Sequence, residues 1–232
     1  MEPECFRERG VRILLAAVAA AAGRMDRGIV PVYSISVDHY CLVSVRVIRR
    51  GKMMDESFEK VKSVQICSSC GAHSIVTKDI NVPFQPECGC DSVEGAGRKA
   101  IKEGPLWVGA LYDFDAIRGI HRMAHLKEAE DFISKETRSL VDILVKEANI
   151  DCNSNIDDDN DDDGMYNTNA MFYRRPGATK EGETPKLASV IEELQHRGYK
   201  ASRTHFCTKS IKSNASVKVF DEAIQNIQRG DK

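Results

Sequence analysis

A chain of 232 residues, 42% hydrophobic and 29% charged, is long enough for one large or two modest domains with ordinary cores, and wholesale disorder is excluded. Its formal net charge of -2 is a poor guide to partners, because six aspartates crowd into residues 157–163. Without that run the body is mildly basic, so nucleic-acid binding is permitted but not required.

Glu8–Met25 predicts a helix, since alanine and leucine dominate and no proline interrupts. Arg7, Arg9 and Arg12 ahead of the apolar run Ile13–Ala22 and Gly23 also imitate a secretory signal, although the run is too short to span a bilayer. Ile29–Val37 and Cys41–Ile48 are β-branched and predict an antiparallel pair joined at Asp38-His39-Tyr40. Asp38 and His39 fit a turn aspartate and a partly buried histidine better than catalytic groups.

Within Ser63–Asp91, Cys67-Ser68-Ser69-Cys70-Gly71 and Cys88-Gly89-Cys90 set four thiols in two close pairs, which suits tetrahedral zinc in a knuckle-like or ribbon-like insertion. The second pair has one intervening residue instead of two, so His73 is an alternative fourth ligand, and a metal-free loop is the competing reading. Disulfides are disfavoured in a reducing compartment.

Phe114–Met123 and Ala129–Glu147 carry apolar residues at helical spacing, among them Phe132, Leu140, Ile143 and Leu144. His121 and His125 stand at i and i+4, but no third ligand is evident in the sequence, and a solvated helix face is expected. Asp159–Gly164 fits the first half of a calcium loop, yet the position for the bidentate glutamate is Ala170, which leaves an acidic, solvated insertion.

Thr184-Pro185 opens the best-marked helix, with a hydroxyl N-cap, proline at the first helical position, Leu187, Val190, Ile191 and Leu194 on one face and Gly198 as stop. It leads into Tyr199–Phe206 and then Lys212–Val219, a small α+β module that presents Arg203, Thr204, His205, Lys212 and Asn214 on one surface. Basic and hydroxyl groups beside an aromatic suit phosphate contact and base stacking. Residue types alone favour Arg203 and Lys212 as ordinary surface cations and Phe206 as core.

Ala201-Ser202-Arg203-Thr204-His205-Phe206, followed by Ile211-Lys212-Ser213-Asn214-Ala215, resembles the signature of the tRNA (guanine-26-N2)-dimethyltransferases. Three further segments agree in order: Arg12-Ile13-Leu14-Leu15; Ile29-Val30-Pro31-Val32 through Ser36–Tyr40 to Val45-Arg46-Val47; and Gly104-Pro105-Leu106-Trp107. The resemblance runs from about Glu8 to about Asn226 and sets Met1–Arg7 outside it. Its register through Arg24 argues against the secretory signal, as it does against a secreted cysteine-rich protein.

The resemblance implies an α/β fold: the last helix and strands of a Rossmann-like class I methyltransferase domain, a zinc-knuckle insertion, and a small winged-helix-like α+β C-terminal domain. The implied divisions are 1–62 for the methyltransferase remnant, 63–103 for the zinc insertion, 104–150 for a helical part, 151–183 for an acidic insertion expected to be disordered, and 184–232 for a tRNA-binding module. Zinc would sit on Cys67, Cys70, Cys88 and Cys90, and tRNA on Arg203, Thr204, His205, Lys212 and Asn214.

Family activity would be methyl transfer from S-adenosylmethionine to N2 of guanine-26. The sequence has neither a glycine-rich cofactor turn after a strand nor an Asp-Pro-aromatic element facing the amine, so the likeness is expected to cover a C-terminal half that transfers no methyl group alone and contributes the grip on tRNA. A stand-alone zinc-containing RNA-binding protein is the alternative. A monomer in nucleus or cytoplasm, with the mitochondrion as a further compartment, and with no membrane or DNA partner, is expected.

Overall fold

A computed structural model describes residues 6–37, 39–49, 51–67, 72–76, 100–152, 174, 176 and 184–230. Helix α1 (Phe6–Gly23) buries Val11, Leu15 and Ala19, a four-residue spacing that keeps them on one face. A tight turn with Asp26 at φ 55° leads into β1 (Gly28–Val37), which pairs antiparallel with β2 (Tyr40–Ile48) from Gly28↔Ile48 to Val37↔Tyr40. The register shifts between Pro31 and Tyr33, beside a proline that has no N–H for the ladder.

Helix α2 (Gly51–Glu59) folds back over the start of β1. There the Ser57 hydroxyl accepts from Ile29 N at 2.9 Å and lies 2.8 Å from Met53 O, tying strand to helix. The backbones come so close that a Cβ on Gly28 would overlap the Met53 carbonyl. Gly28→Ala is therefore expected to lower stability by about 1–3 kcal/mol through overpacking, seen as a lower urea midpoint with an unchanged m-value.

Strand β3 (Val61–Cys67) is the centre of an antiparallel sheet, with β4 (His73–Val76) on one side and β5 (Ala100–Trp107) on the other. The β3–β5 register slips between Lys62 and Val64, where Gly104, at φ 145°, approaches Ser63. A Cβ at Gly104 would stand 2.8 Å from Ser63 Cα, so only glycine fits both the dihedral and the space. β5 ends by delivering Trp107 into the core.

Asp113 caps helix α3 (Phe114–Ala124) by accepting from Ala116 N at 3.1 Å. Helix α4 (Lys135–Cys152) packs on α3, and the segment expected to begin it at Ala129 is instead a short 3-10 turn over Lys127–Ala129. Helix α5 (Leu187–His196) starts three residues after Thr184, with Lys186 at the N-cap and no side-chain capping bond, so the capping role expected of Thr184 is not observed. Gly198 ends it at φ 86°, its N–H donating to Gln195 O at 2.9 Å while Tyr199 N donates to Leu194 O. Strands β6 (Ala201–Arg203) and β7 (Ile211–Ser213) form a two-stranded ribbon, and helix α6 (Val217–Gly230) packs with it.

One core joins α1, β1, Trp107, Leu111, α3, Leu144 and Ala148 of α4, and Phe206 beyond β6. A second packs α5 and α6 around β6 and β7 through Val190, Leu194, Ile211, Phe220 and Ala223. The fold class expected from the sequence is overturned here. Every strand pair among the described residues is antiparallel, so no Rossmann-like parallel sheet is present among them. Cys67 ends a regular strand and is 2% exposed, within a three-stranded sheet instead of a knuckle; Cys70, Cys88 and Cys90 lie outside the described residues. The acidic run at 157–163 and Asp38 also lie outside them. No described helix is long and apolar enough to cross a membrane.

Candidate nucleic-acid interface

The β6–β7 ribbon sorts the five expected tRNA contacts by the pleat and by what lies behind it. Cross-strand pairs are Ala201↔Ser213, Ser202↔Lys212 and Arg203↔Ile211. Arg203 is exposed, whereas Thr204 is buried and its Oγ1 accepts from Phe206 N at 3.3 Å in a local turn. Asn214 is half-buried and closes the open end of the ribbon: its Oδ1 accepts from Lys200 N at 2.8 Å, and its own N–H donates to Lys200 O.

His205 points inward, with a side chain 1% exposed. Its backbone N–H donates to Glu147 Oε1 at 2.7 Å, its Nδ1 lies 3.0 Å from Glu147 Oε2, and Ser36 N donates to its Nε2 at 3.3 Å. The Tyr112 hydroxyl donates to the same carboxylate at 2.6 Å. Burial alone would raise the Glu147 carboxyl, but His205, Lys212 and the Tyr112 hydroxyl more than offset it and hold it at about 2. Burial and the neighbouring Glu147 and Asp151 carboxylates push Tyr112 well above its ordinary range, so it stays neutral and keeps donating.

Lys212 is 0% exposed, with Nζ 3.0 Å from Asp151 and 3.5 Å from Glu8. Burial pulls its ammonium down, yet Asp151, Glu8 and Glu147 together raise it above its ordinary value and keep it charged. Glu8 itself is pushed up by burial against the pull of Lys212 and Arg12, so Asp151 is the main partner of the lysine. Arg12 donates to Glu8 at 2.8 Å and to the carbonyls of Trp107 and Gly109 at 2.8 and 3.1 Å. This network ties α1, the turn after β5, α4 and β7 together. Thr204, His205 and Lys212, expected to face RNA, turn inward instead: His205 and Lys212 find their partners on elements distant in sequence, and Thr204 in its own turn.

What does face solvent is a cleft of ≈ 530 Å³ between α4, α5 and β6. Lys146, Lys200 and Arg203 line it with Tyr199 and Ile191, and Glu192 is its acidic group. Lys200 Nζ is steadied 3.3 Å from Asn149 Oδ1. Lys146 was not singled out from the sequence; its signal is its place two residues after Leu144, on the face of α4 turned from the core. Three cations, one acid, an aromatic ring and an aliphatic floor suit a phosphate backbone with a stacked base. No described turn joins a parallel strand to a helix N-terminus, so the described residues do not make the nucleotide cradle that class I cofactor sites use.

The chain belongs to the N2,N2-dimethylguanosine tRNA methyltransferase family, whose model matches residues 1–225. It is 27% identical to the tRNA (guanine(26)-N(2))-dimethyltransferase of Methanoregula boonei over 218 residues, covering 94% of this chain and 51% of that protein. It is 26% identical to the tRNA (guanine(27)-N(2))-dimethyltransferase of Homo sapiens over 268 residues, covering 94% and 36%. The solved complex of Trm1 from Pyrococcus horikoshii with S-adenosyl-L-methionine matches with a TM-score of 0.64 at 25% identity, over 94% of this chain and 49% of that one.

The chain thus spans about half or less of the length of these relatives. The unbroken match from residue 1 takes in Met1–Arg7, which the sequence likeness left out, and it does not bear out a restriction to a C-terminal half. With the likeness to the solved structure, it replaces the expected C-terminal remnant with a zinc knuckle by a stretch of methyltransferase-family fold.

Proposed function

We propose that this protein acts in the N2-methylation of guanine in tRNA with S-adenosylmethionine as donor, and that the α4–α5–β6 cleft grips the tRNA backbone. The observation that carries the reading is the cationic cleft built directly on Lys200–Arg203, the family-like segment, within a chain matched along residues 1–225. Guanine-26 is the target we propose, since it is named for relatives that this chain covers more fully, 51% against 36%. Methylation of transcripts carrying one guanine substitution at a time, at 26 or at 27, separates the two positions.

Exposing a base in folded tRNA costs a few kcal/mol, and contacts to backbone far from the reacting amine offset that cost. The cofactor is implied by the family; no step is assigned to it on the described residues, which do not form its cradle. Filter binding of unmodified tRNA across a salt series tests the grip. Lys146→Glu with Arg203→Glu is expected to weaken binding at least about tenfold and to lower the salt slope by roughly one per cation removed. Thermal stability should hold within about 0.5 kcal/mol, because both side chains are exposed. Affinity equal to that of the native chain at every salt concentration overturns the assignment of the cleft.

A further inference from the structure

We infer that His121, His125 and Asp142 bind one divalent cation of the zinc, cobalt or nickel type, fastening α3 to α4. The fold supplies the third ligand that the sequence did not reveal. His121 and His125 lie one turn apart at the end of α3, their ring centroids 4.6 Å apart. Each presents Nε2 to the same oxygen, Asp142 Oδ1 of α4, at 2.9 Å. The three ligand atoms lie within 4.8 Å of one another. Tetrahedral bonds of about 2.0–2.1 Å place donors about 3.3 Å apart, so the two 2.9 Å Nε2–Oδ1 distances need to open by only a few tenths of an ångström around an ion.

Convergence distinguishes the cluster from an ordinary hydrogen-bonded helix face. A carboxylate that only accepted hydrogen bonds is free to divide two donors between its two oxygens, whereas here both imidazoles aim at one. His125 is also the C-cap residue of α3, so the carbonyl end of the helix adds negative potential where a cation would sit. Two imidazoles and one carboxylate favour borderline transition metals over magnesium or calcium, which prefer all-oxygen shells. The side chains are 37%, 39% and 44% exposed, so an ion enters without unfolding and keeps water in its remaining positions. Because α4 is also a wall of the cleft through Ile143 and Lys146, the ion would fix that wall relative to α3.

Titration of the full chain with cobalt and zinc tests the inference. Cobalt is expected to bind with visible d–d bands and no near-ultraviolet thiolate charge transfer, broadening the ring resonances of two histidines. Asp142→Asn, and separately His125→Gln, which keeps a hydrogen-bonding side chain, should each weaken that binding at least about tenfold. Zinc should raise the melting temperature of the native chain and leave that of Asp142→Asn unmoved. Absence of binding at 1 mM cobalt (roughly the weak limit for a useful three-ligand site), a spectrum dominated by thiolate charge transfer, or equal affinity in native chain and variants would each overturn it.

Discussion

Replacing Lys212 by alanine is expected to cost about 3–5 kcal/mol, a large part of the roughly 5–15 kcal/mol that holds a domain folded. The ammonium is fully enclosed between Asp151 and Glu8, with Glu147 adding to its field, and its loss removes the positive charge that these buried carboxylates face. Lys212→Met, which restores most of the volume, should remain strongly destabilising, since the missing charge rather than the cavity dominates. Adding Asp151→Asn to Lys212→Met should recover part of the loss, a coupling readable from a double-mutant cycle in urea. A change below about 1 kcal/mol, combined with weaker tRNA binding, would show that the lysine faces RNA after all.

Acid should unfold the protein through Glu147. Its carboxyl is held at about 2, against an ordinary 4.5, so the folded state binds fewer protons than the unfolded state between those values. The pair contributes its full stabilisation above about pH 5 and loses it as pH falls towards 2. At about 1.4 kcal/mol per tenfold change in proton affinity, the contribution is about 3 kcal/mol. Glu147→Gln should flatten the rise of stability with pH across that window. It should also lower stability at neutral pH, because one of the two oxygens that accept from His205 N, His205 Nδ1 and the Tyr112 hydroxyl becomes an NH2 donor. An unchanged slope between about pH 2 and 5 in urea titrations of native chain and variant would reject this account.

Local patterning carried the first third of the fold. α1 is an unbroken apolar face with no helix breaker, and β1 and β2 are β-branched runs around a turn, so periodicity was sufficient. It does not reach β3 and β5, where Lys62, Gln65, Lys102 and Glu103 stand on exposed or half-buried faces and Cys67, at the end of β3, belongs to a thiol pair that suits metal chemistry. α6 was not assigned from the sequence, although Val217, Phe220, Ala223 and Ile224 stand at helical spacing and pack in the core it shares with α5.

The candidate site was legible as a segment and not as a set of contacts. Arg203 kept its surface place, while the burial of Lys212 and His205 depends on Glu8, Glu147 and Asp151, which no local window contains. Asp142 was hidden from His121 and His125 in the same way, 21 and 17 residues downstream on another helix.

The ion pair between Glu8 and Lys212 also bears on synthesis. At roughly 5–20 residues per second, a ribosome needs about 10 to 40 s to deliver the lysine after the glutamate. Until then the Glu8 carboxylate of α1 lacks the distant ammonium, and for nearly all of that time its apolar face lacks Phe206. The packing of α1 is therefore completed only once β7 has emerged.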